Sequence, residues 1–160
     1  MSRPKASAGF TLIELMVTIV LVAILAGVAL PNFTLLIRNN RVLSLSEEFY
    51  GMLQYARTEA VTRGQAVTLT VSAADQWNGA LNVTTTTTTL RSQGSEGFNQ
   101  PNVAISSSAA SLAFRPNGAL NGTALRCFSV CPSDVTNPTC RVVQVQTSGR
   151  ILPPTTGVCP

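Results

Sequence analysis

The chain has 160 residues, with 11 basic and seven acidic side chains, a formal net charge of +4, four cysteines and no histidine. This length predicts one domain with an additional segment, and the lack of histidine removes the commonest general base and metal ligand. The acidic side chains form no recognisable acid/base pair, and the sequence has no phosphate-binding glycine loop. We therefore predict neither enzymatic activity nor a cofactor, and the small positive excess gives only weak support for nucleic-acid binding.

The N-terminal segment has the composition of a membrane-spanning helix. A short leader with Arg3 and Lys5 precedes Gly9, and no charged residue occurs within residues 15–37. About 20 apolar residues cross a bilayer core, and the basic leader predicts that the N-terminus stays cytoplasmic while the rest is exported. We expect a transmembrane segment at residues 10–37.

Glu14 interrupts this segment and separates three interpretations. A cleaved secretory signal would be shorter and would end in a small-residue site. A plain anchor leaves Glu14 unexplained, because an ionisable side chain within a membrane is costly. Cleavage between Gly9 and Phe10 would instead create an α-amino group four residues before Glu14. In an apolar fibre core that amine could pair with the carboxylate of a neighbouring subunit, because ion pairs are much stronger there than in water.

The sequence GFTLIEL at residues 9–15 resembles the class III signal of type IV pilins and type II secretion pseudopilins. The resemblance implies that a prepilin peptidase cleaves after Gly9 and methylates Phe10. It also implies that Glu14 guides assembly into a fibre, and that residues 1–9 are a leader.

Beyond the apolar segment, the hydrophobic pattern becomes one-sided, as in a helix that packs on a sheet. The members of this stripe are Leu45, Phe49, Met52, Leu53, Ala56 and Ala60. Gly64 suits the left-handed position that follows a helix, and Arg63 suits the negative end of the helix dipole. We predict an N-terminal helix over residues 10–63.

The remainder, residues 64–160, has the pattern of a β-rich domain. Strands are predicted at residues 65–72, 80–85, 103–106, 111–115, 125–130 and 141–147. A turn is predicted at 75–79, residues 84–89 suit an exposed edge strand or a stiff loop, and residues 91–102 have the composition of a loop. A long helix followed by strands predicts an α+β fold, with a sheet packed on the helix.

Five short segments are similar to the GspH/FimT-type minor pilins. They are LQYARTEAVTR (53–63), VTLTV (67–71), WNG (77–79), FRPNG (114–118) and SGR (148–150). The resemblance implies a type IV pilin-like fold, in which a long helix packs its amphipathic second half on an antiparallel sheet. It also implies an initiating or tip-associated subunit that contacts other minor pilins, the major pilin and the inner-membrane assembly platform.

Cys127, Cys131, Cys140 and Cys159 are an even set in the last third of the chain, which in an exported domain favours disulfides. Three pairings are possible. If the strands at 125–130 and 141–147 form a hairpin, Cys131 and Cys140 flank its loop and Cys127 is left for Cys159. We favour that nested arrangement. A zinc site is the alternative, but it lacks a C-x-x-C pair and a histidine.

Two classes of function remain open. The first is a minor pilin, held in the inner membrane with its domain in the periplasm, that helps to prime or cap a type IV pilus; a type II secretion pseudopilin is its closest rival. The second is DNA capture, which in FimT-type proteins is associated with a Gly-Arg-x-Arg pattern. This chain has Gly-Arg-Ile-Leu at 149–152, so the second arginine is missing. Arg126, Arg141 and Arg150 are candidate DNA contacts if they share one face, because affinity grows with the number of phosphates neutralised. The structural role is the one we expect.

Overall fold

The computed structural model of the protein describes residues 9–71, 77, 79–93, 98, 101–107, 109–136 and 138–159, and the side chains of all of these except 28–32. Most of the predicted leader (1–8), most of the predicted turn (75, 76 and 78) and part of the predicted loop (94–97, 99 and 100) lie outside the described residues. The chain divides into two compact units, residues 1–37 and 38–160.

In the first unit, the chain becomes helical at Leu12, where helix α1 (Leu12–Arg63) begins. The large apolar side chains that the structure describes in this unit are exposed, from Phe10 at 84% to Ile37 at 49%. Because they occupy nearly every successive position from residue 12 to 25, they cover all sides of the helix. Within the described residues, no helix combines the length and the hydropathy that a membrane crossing requires.

In the second unit, the helix buries one stripe of side chains. Val42 and the six predicted stripe residues are at most 4% exposed, which confirms the predicted amphipathic face. The helix ends in a Schellman motif, in which Gly64 has a φ of +62°. The Gly64 N–H donates to the Val61 carbonyl and the Gln65 N–H donates to the Ala60 carbonyl, both at 3.3 Å. The helix thus ends at the residue that the sequence predicts.

Eight strands follow the helix in the part of the chain that the structure describes. They are β1 (Val67–Val71), β2 (Leu81–Thr84), β3 (Thr89–Gln93), β4 (Val103–Ser107), β5 (Ser111–Phe114), β6 (Arg126–Pro132), β7 (Arg141–Val145) and β8 (Ile151–Thr156). They form two antiparallel four-stranded sheets, in the orders β3-β2-β1-β5 and β4-β6-β7-β8. Buried residues alternate with less buried ones along β1, β2 and β6, so one face of each sheet lies in the core.

Aromatic rings join the helix to the strands in one core. Phe49 of the helix lies edge-on to Trp77 and Phe98, with ring centroids 5.8 and 5.9 Å apart, and Phe128 of β6 lies 5.0 Å from it. The Trp77 Nε1–H donates to the Ala109 carbonyl at 2.7 Å. Such ring pairs contribute about 0.5–1.5 kcal/mol each beyond their burial. The predicted α+β architecture, a long helix packed on an antiparallel β domain, is confirmed, and the domain contains two sheets where the sequence predicted one.

Three stretches differ from the sequence prediction or make it more definite. Residues 91–93 belong to β3 rather than to a loop. Thr85–Thr88 is mostly a tight turn between β2 and β3, closed by the Thr85 N–H on the Thr88 carbonyl at 2.8 Å. Strand β8 is not predicted at all, because Pro153 and Pro154 argue against a strand. It forms at the edge of its sheet, where a proline needs no partner for a missing N–H.

Candidate functional site

The predicted processing site lies in an accessible, non-helical stretch. Gly9, Phe10 and Thr11 precede the helix. The Phe10 side chain is 84% exposed, and no described atom lies within 4 Å of the position of a Cβ on Gly9. The bond between Gly9 and Phe10 therefore lies in exposed, non-helical backbone.

Glu14 closes a capping box with Thr11 at the start of the helix. The Glu14 Oε2 atom accepts hydrogen bonds from the Thr11 N–H at 3.1 Å and from the Thr11 hydroxyl at 3.0 Å, and the Glu14 N–H donates to Thr11 Oγ1 at 3.2 Å. Two N–H groups that a helix start leaves without partners are satisfied in this way. The interpretation of Glu14 as an assembly residue gives Thr11 no role. The Thr-x-x-Glu spacing at residues 11–14 is nevertheless the sequence signature of a capping box.

The capping box leaves part of the Glu14 carboxylate available. Both bonds from Thr11 reach Oε2, and Oε1 accepts no hydrogen bond from any described residue. An ionised carboxylate has about four acceptor sites. Glu14 can therefore accept a further donor, such as an α-amino group, without losing the cap.

The four cysteines form two disulfides on one face of a sheet. The pairs are Cys127–Cys159 and Cys131–Cys140, with Cα atoms 5.7 and 4.4 Å apart, which is the nested arrangement favoured from the sequence. Cys127 and Cys131 alternate along β6 with Phe128 and Val130, which lie in the core. Both disulfides are therefore on the outer face of this sheet. Within the described residues, no group of three or more His, Cys, Asp or Glu side chains is placed to hold a metal ion.

The three arginines considered for DNA contact are not brought together. Arg126 and Val145 are partners across β6 and β7, and Val145 pairs with Ile151, the residue after Arg150. Arg126 and Arg150 therefore lie at the same end of this sheet. Arg141 begins β7, four residues from Val145, which is about 13 Å along a strand. It lies at the other end.

Two glycine turns pack against the last turns of the helix. Gly118 has a φ of +75° and Gly149 a φ of +81°, and a Cβ on Gly149 would overlap the Gly118 carbonyl oxygen. The Arg57 Nε–H donates to that same oxygen at 3.1 Å. We call this contact of Arg57, Gly118 and Gly149 the glycine clasp. It brings together three of the segments that resemble minor pilins, residues 53–63, 114–118 and 148–150.

Four arginines lie in or beside the segments that form the glycine clasp and the turn that follows it. The Arg115 Nε–H donates to Asn121 Oδ1 at 3.4 Å, and Arg126 Nη2 lies 3.7 Å from the position of a Cβ on Gly122. Arg150 follows the second glycine of the clasp, and Arg57 bonds the first. We call these four side chains the arginine cluster: Arg57, Arg115, Arg126 and Arg150.

Arg63, also near the end of the helix, differs from the arginine cluster because it is paired. Its Nε lies 2.5 Å from Glu59 Oε2. The hydrogen bond to Glu59 and the charge of that carboxylate raise the pKa of Arg63 above its ordinary value. Glu59 and Arg63 are four residues apart on one helix, a spacing at which opposite charges pair, whereas the partners of the other arginines depend on which side chains the fold brings together.

A helix that is apolar on all sides after a Gly-Phe start, and that packs its amphipathic part on antiparallel sheets, has the architecture of a pilin. Residues 45–149 match the family described as type II transport protein GspH, and residues 4–30 match the prokaryotic N-terminal methylation motif. The first match covers more than half of the chain. The chain belongs to the GspH family.

Two solved structures are similar to this chain, and both are of the type IV minor pilin FimU of Pseudomonas aeruginosa (strain PAO1). The crystal structure in space group P21 has a TM-score of 0.64 and 28% sequence identity, over 71% of this chain and 88% of that chain. The structure in space group P65 has a TM-score of 0.60 and 28% identity, over 69% of this chain and 90% of that one. No curated protein sequence matches the chain significantly. The chain is a minor pilin or pseudopilin of the type IV pilus and type II secretion family, as its sequence motifs predict.

Proposed function

We propose that the chain is a minor pilin that a prepilin peptidase cleaves after Gly9 and methylates at Phe10, and that it helps to initiate or cap a type IV pilus. One observation carries this proposal. An accessible bond between Gly9 and Phe10 is followed one turn later by Glu14, in a helix whose apolar side chains are exposed on all sides. The likeness to a type IV minor pilin supports the pilus over a secretion system.

The exposed apolar surface of residues 10–37 explains where such a chain would be held. Large exposed apolar surfaces mark contacts with a membrane or with other proteins. Before assembly the inner membrane would take this segment, with residues 64–160 in the periplasm and residues 1–9 removed as a leader. In the fibre, helices of other minor pilins and of the major pilin would replace the lipid, after delivery through the inner-membrane assembly platform.

Glu14 would make the transfer from membrane to fibre electrostatically favourable. A carboxylate without a charged partner is costly within a membrane. In the fibre, the new α-amino group of Phe10 on one subunit can donate to Glu14 Oε1 on its neighbour, while Oε2 keeps its bonds to Thr11. Because both charges are then paired in apolar surroundings, their attraction offsets the cost of removing them from water.

Deletion of the gene tests this proposal when surface pili, type II secretion and DNA uptake are scored in one strain. We expect pili to be lost or strongly reduced, secretion to be retained, and a wild-type copy to restore the pili. A matched copy with Gly9→Val, which blocks cleavage, should fail to restore them. Normal pili with impaired secretion would assign the chain to a type II secretion system and overturn the proposal.

The arginine cluster favours a second candidate function, the capture of DNA. Each phosphate that an arginine neutralises strengthens binding, and Arg57 and Arg115 supply charge beside Arg126 and Arg150 that the short C-terminal motif lacks. Retained pili with lost DNA uptake in the deletion strain would favour this candidate. In that case Arg150→Gln should lower DNA uptake and leave piliation unchanged. Arg91→Gln, which lies outside the cluster, should leave both unchanged.

A further inference from the structure

A polar cleft lies between the first helical turns of the second unit and the ends of β7 and β8. Its volume is about 280 Å³, just below the range of roughly 300–1,000 Å³ for ordinary small-molecule sites. Its lining includes Asn39, Asn40, Leu43, Thr139, Arg141 and Thr156. Among the described residues, the lining therefore offers amide and hydroxyl donors around one guanidinium, and no carboxylate.

The register of the sheet directs Arg141 into this cleft. Arg141 is the partner of Val130 on one side and of Thr156 on the other. Residues directly opposite each other share a face, and Val130 is fully buried in the core that the helix covers. Arg141 is thus on the helix side of the sheet, half-buried, with its Nη1–H donating to the Pro154 carbonyl at 3.4 Å.

No acidic residue neutralises Arg141 within the described part of the chain. The two ion pairs there are Arg38–Asp134 and Arg63–Glu59. Asp134 belongs to the same loop as Thr139, but its Oδ2 lies 2.7 Å from Arg38 Nη2. A half-buried guanidinium has lost part of its hydration, and an ion pair is what normally compensates for that loss. The planar fork of an arginine also fits a carboxylate better than any other group in a protein partner.

We propose that this cleft receives the carboxylate of an aspartate or glutamate side chain from a neighbouring subunit of the fibre, with Arg141 as its charged partner. The proposal rests on the proposed function, because a fibre supplies the neighbour. The helical wall of the cleft, residues 39–43, directly follows the uncharged segment 15–37 in sequence. It therefore belongs to the stretch of helix that enters or borders the packed fibre core. The volume of about 280 Å³ leaves room for an acidic side chain to reach Arg141.

The amino-acid composition makes this contact directly testable. Lys5 is the only lysine of the chain and lies in the predicted leader, so Arg141→Lys would give the mature protein its single side-chain amine. A carbodiimide condenses an amine with a contacting carboxylate, forming an amide with loss of water. Sheared fibres carrying full-length Arg141→Lys would be treated in this way and the cross-linked peptides sequenced by mass spectrometry. Wild type and Arg91→Lys, on an exposed strand outside the cleft, are the controls.

We expect Arg141→Lys to couple through residue 141 to an acidic residue of another subunit, in a product absent from both controls. Equal coupling in Arg91→Lys, coupling only to a small molecule, or no coupling at all in fibres that contain the variant would overturn this inference. We also expect Arg141→Gln to lower recovery in sheared fibres several-fold at equal cellular abundance and protease resistance. Unchanged recovery of Arg141→Gln in sheared fibres would contradict the proposed contact of Arg141. Absence of the wild-type chain from fibres would instead overturn the proposed function, so the two failures are distinguishable.

Discussion

Among the described residues, three glycines have positive φ values, but the space around them differs. Gly64, which ends the helix with a φ of +62°, has no neighbouring atom within 4 Å of the position of a Cβ. Gly149, with a φ of +81°, lies against the Gly118 carbonyl so closely that a Cβ would overlap it. Conformation alone requires glycine at the first position, whereas conformation and close approach both require it in the clasp.

We expect Gly149→Ala to destabilise the protein much more than Gly64→Ala. A left-handed alanine costs about 1–2 kcal/mol, which is the whole expected effect at residue 64. At residue 149 the backbone of two turns must also move, so the loss should be about 3 kcal/mol or more. Urea unfolding of the purified full chain in detergent would measure both. Equal losses of stability in the two variants would show that the two backbone turns of the clasp can move apart without a cost in free energy.

We expect Glu14→Ala to leave cleavage after Gly9 intact but to reduce recovery in sheared fibres several-fold. The variant loses the charge that is proposed to pair with the amine of Phe10, and it also loses the cap on Thr11. Glu14→Gln separates these effects, because its amide oxygen can still accept from Thr11 but carries no charge. Mass spectrometry of the N-terminus and immunoblots of sheared fibres give the two measurements. Normal recovery of Glu14→Ala in sheared fibres would contradict a role of Glu14 in assembly. Normal recovery of Glu14→Gln but not of Glu14→Ala would assign that role to the cap on Thr11 rather than to the charge.

At the level of elements, the two disulfides hold the second sheet by loops of different length. Cys127–Cys159 spans 32 residues and encloses Cys131–Cys140, which spans nine. The longer loop contains most of β6 and all of β7 and β8, including the edge strand with its two prolines. The longer loop therefore constrains β8, the strand whose two prolines give it the weakest local preference for a β conformation.

We expect Cys127→Ser/Cys159→Ser to cost more stability than Cys131→Ser/Cys140→Ser. Loop-closure entropy gives about 3.5 kcal/mol for the longer loop and about 2.5 kcal/mol for the shorter one. Thermal unfolding of the two double variants under non-oxidising conditions would test the order. Digestion of the wild type with trypsin and chymotrypsin would test the pairing, since cuts after Arg126 and Phe128 should release a dipeptide joined to the C-terminal peptide. The same dipeptide joined to Cys140 would contradict it.

At the scale of the whole molecule, the core belongs to one unit. Every buried apolar side chain in the described residues lies between Val42 and Ile151, and the large apolar side chains of residues 10–37 are exposed instead. The buried apolar side chains that the structure describes therefore all belong to the second unit.

We expect a chain that starts at Arg38 to fold by itself when exported to the periplasm. Its helix retains the whole buried stripe and its Schellman motif, so the stability should differ from that of the full chain by less than about 1 kcal/mol, a few degrees in Tm. Near-ultraviolet circular dichroism and a single cooperative unfolding transition would verify this. A non-cooperative transition would mean that residues before Arg38 contribute to the core.

The sequence could predict those parts of the fold that repeat a pattern over many residues. The buried stripe from Leu45 to Ala60 is periodic, and buried residues alternate with less buried ones along β6, so both could be predicted. Trp77 and Phe98 could not be predicted as core residues, because each lies among turn-forming residues and packs on rings that are distant in sequence, Phe49 for both and also Phe128 for Trp77.

Candidate-site residues show the same division. Gly9, Phe10 and Glu14 follow one another in a long ordered motif, and even the overlooked Thr11 has a local signal three residues before Glu14. The arginine cluster and the cleft of Arg141 have none, since strand register and turn packing bring together residues far apart in the chain, such as Arg57 and Gly118 or Asn39 and Thr156. No pattern along a single chain reports such distances.

The disulfide Cys127–Cys159 has a mechanical consequence. When a chain is pulled from its two ends, the force passes directly from Cys127 to Cys159 and the strands between them carry no load. A separation of 32 residues corresponds to roughly 100 Å of extended chain, which the oxidised protein cannot release. Fully stretched by a force probe, it should therefore be about 100 Å shorter than the reduced protein. A chain under tension could therefore draw out β1 to β5, which lie before Cys127, but neither β7 nor β8, which lie within the closed loop.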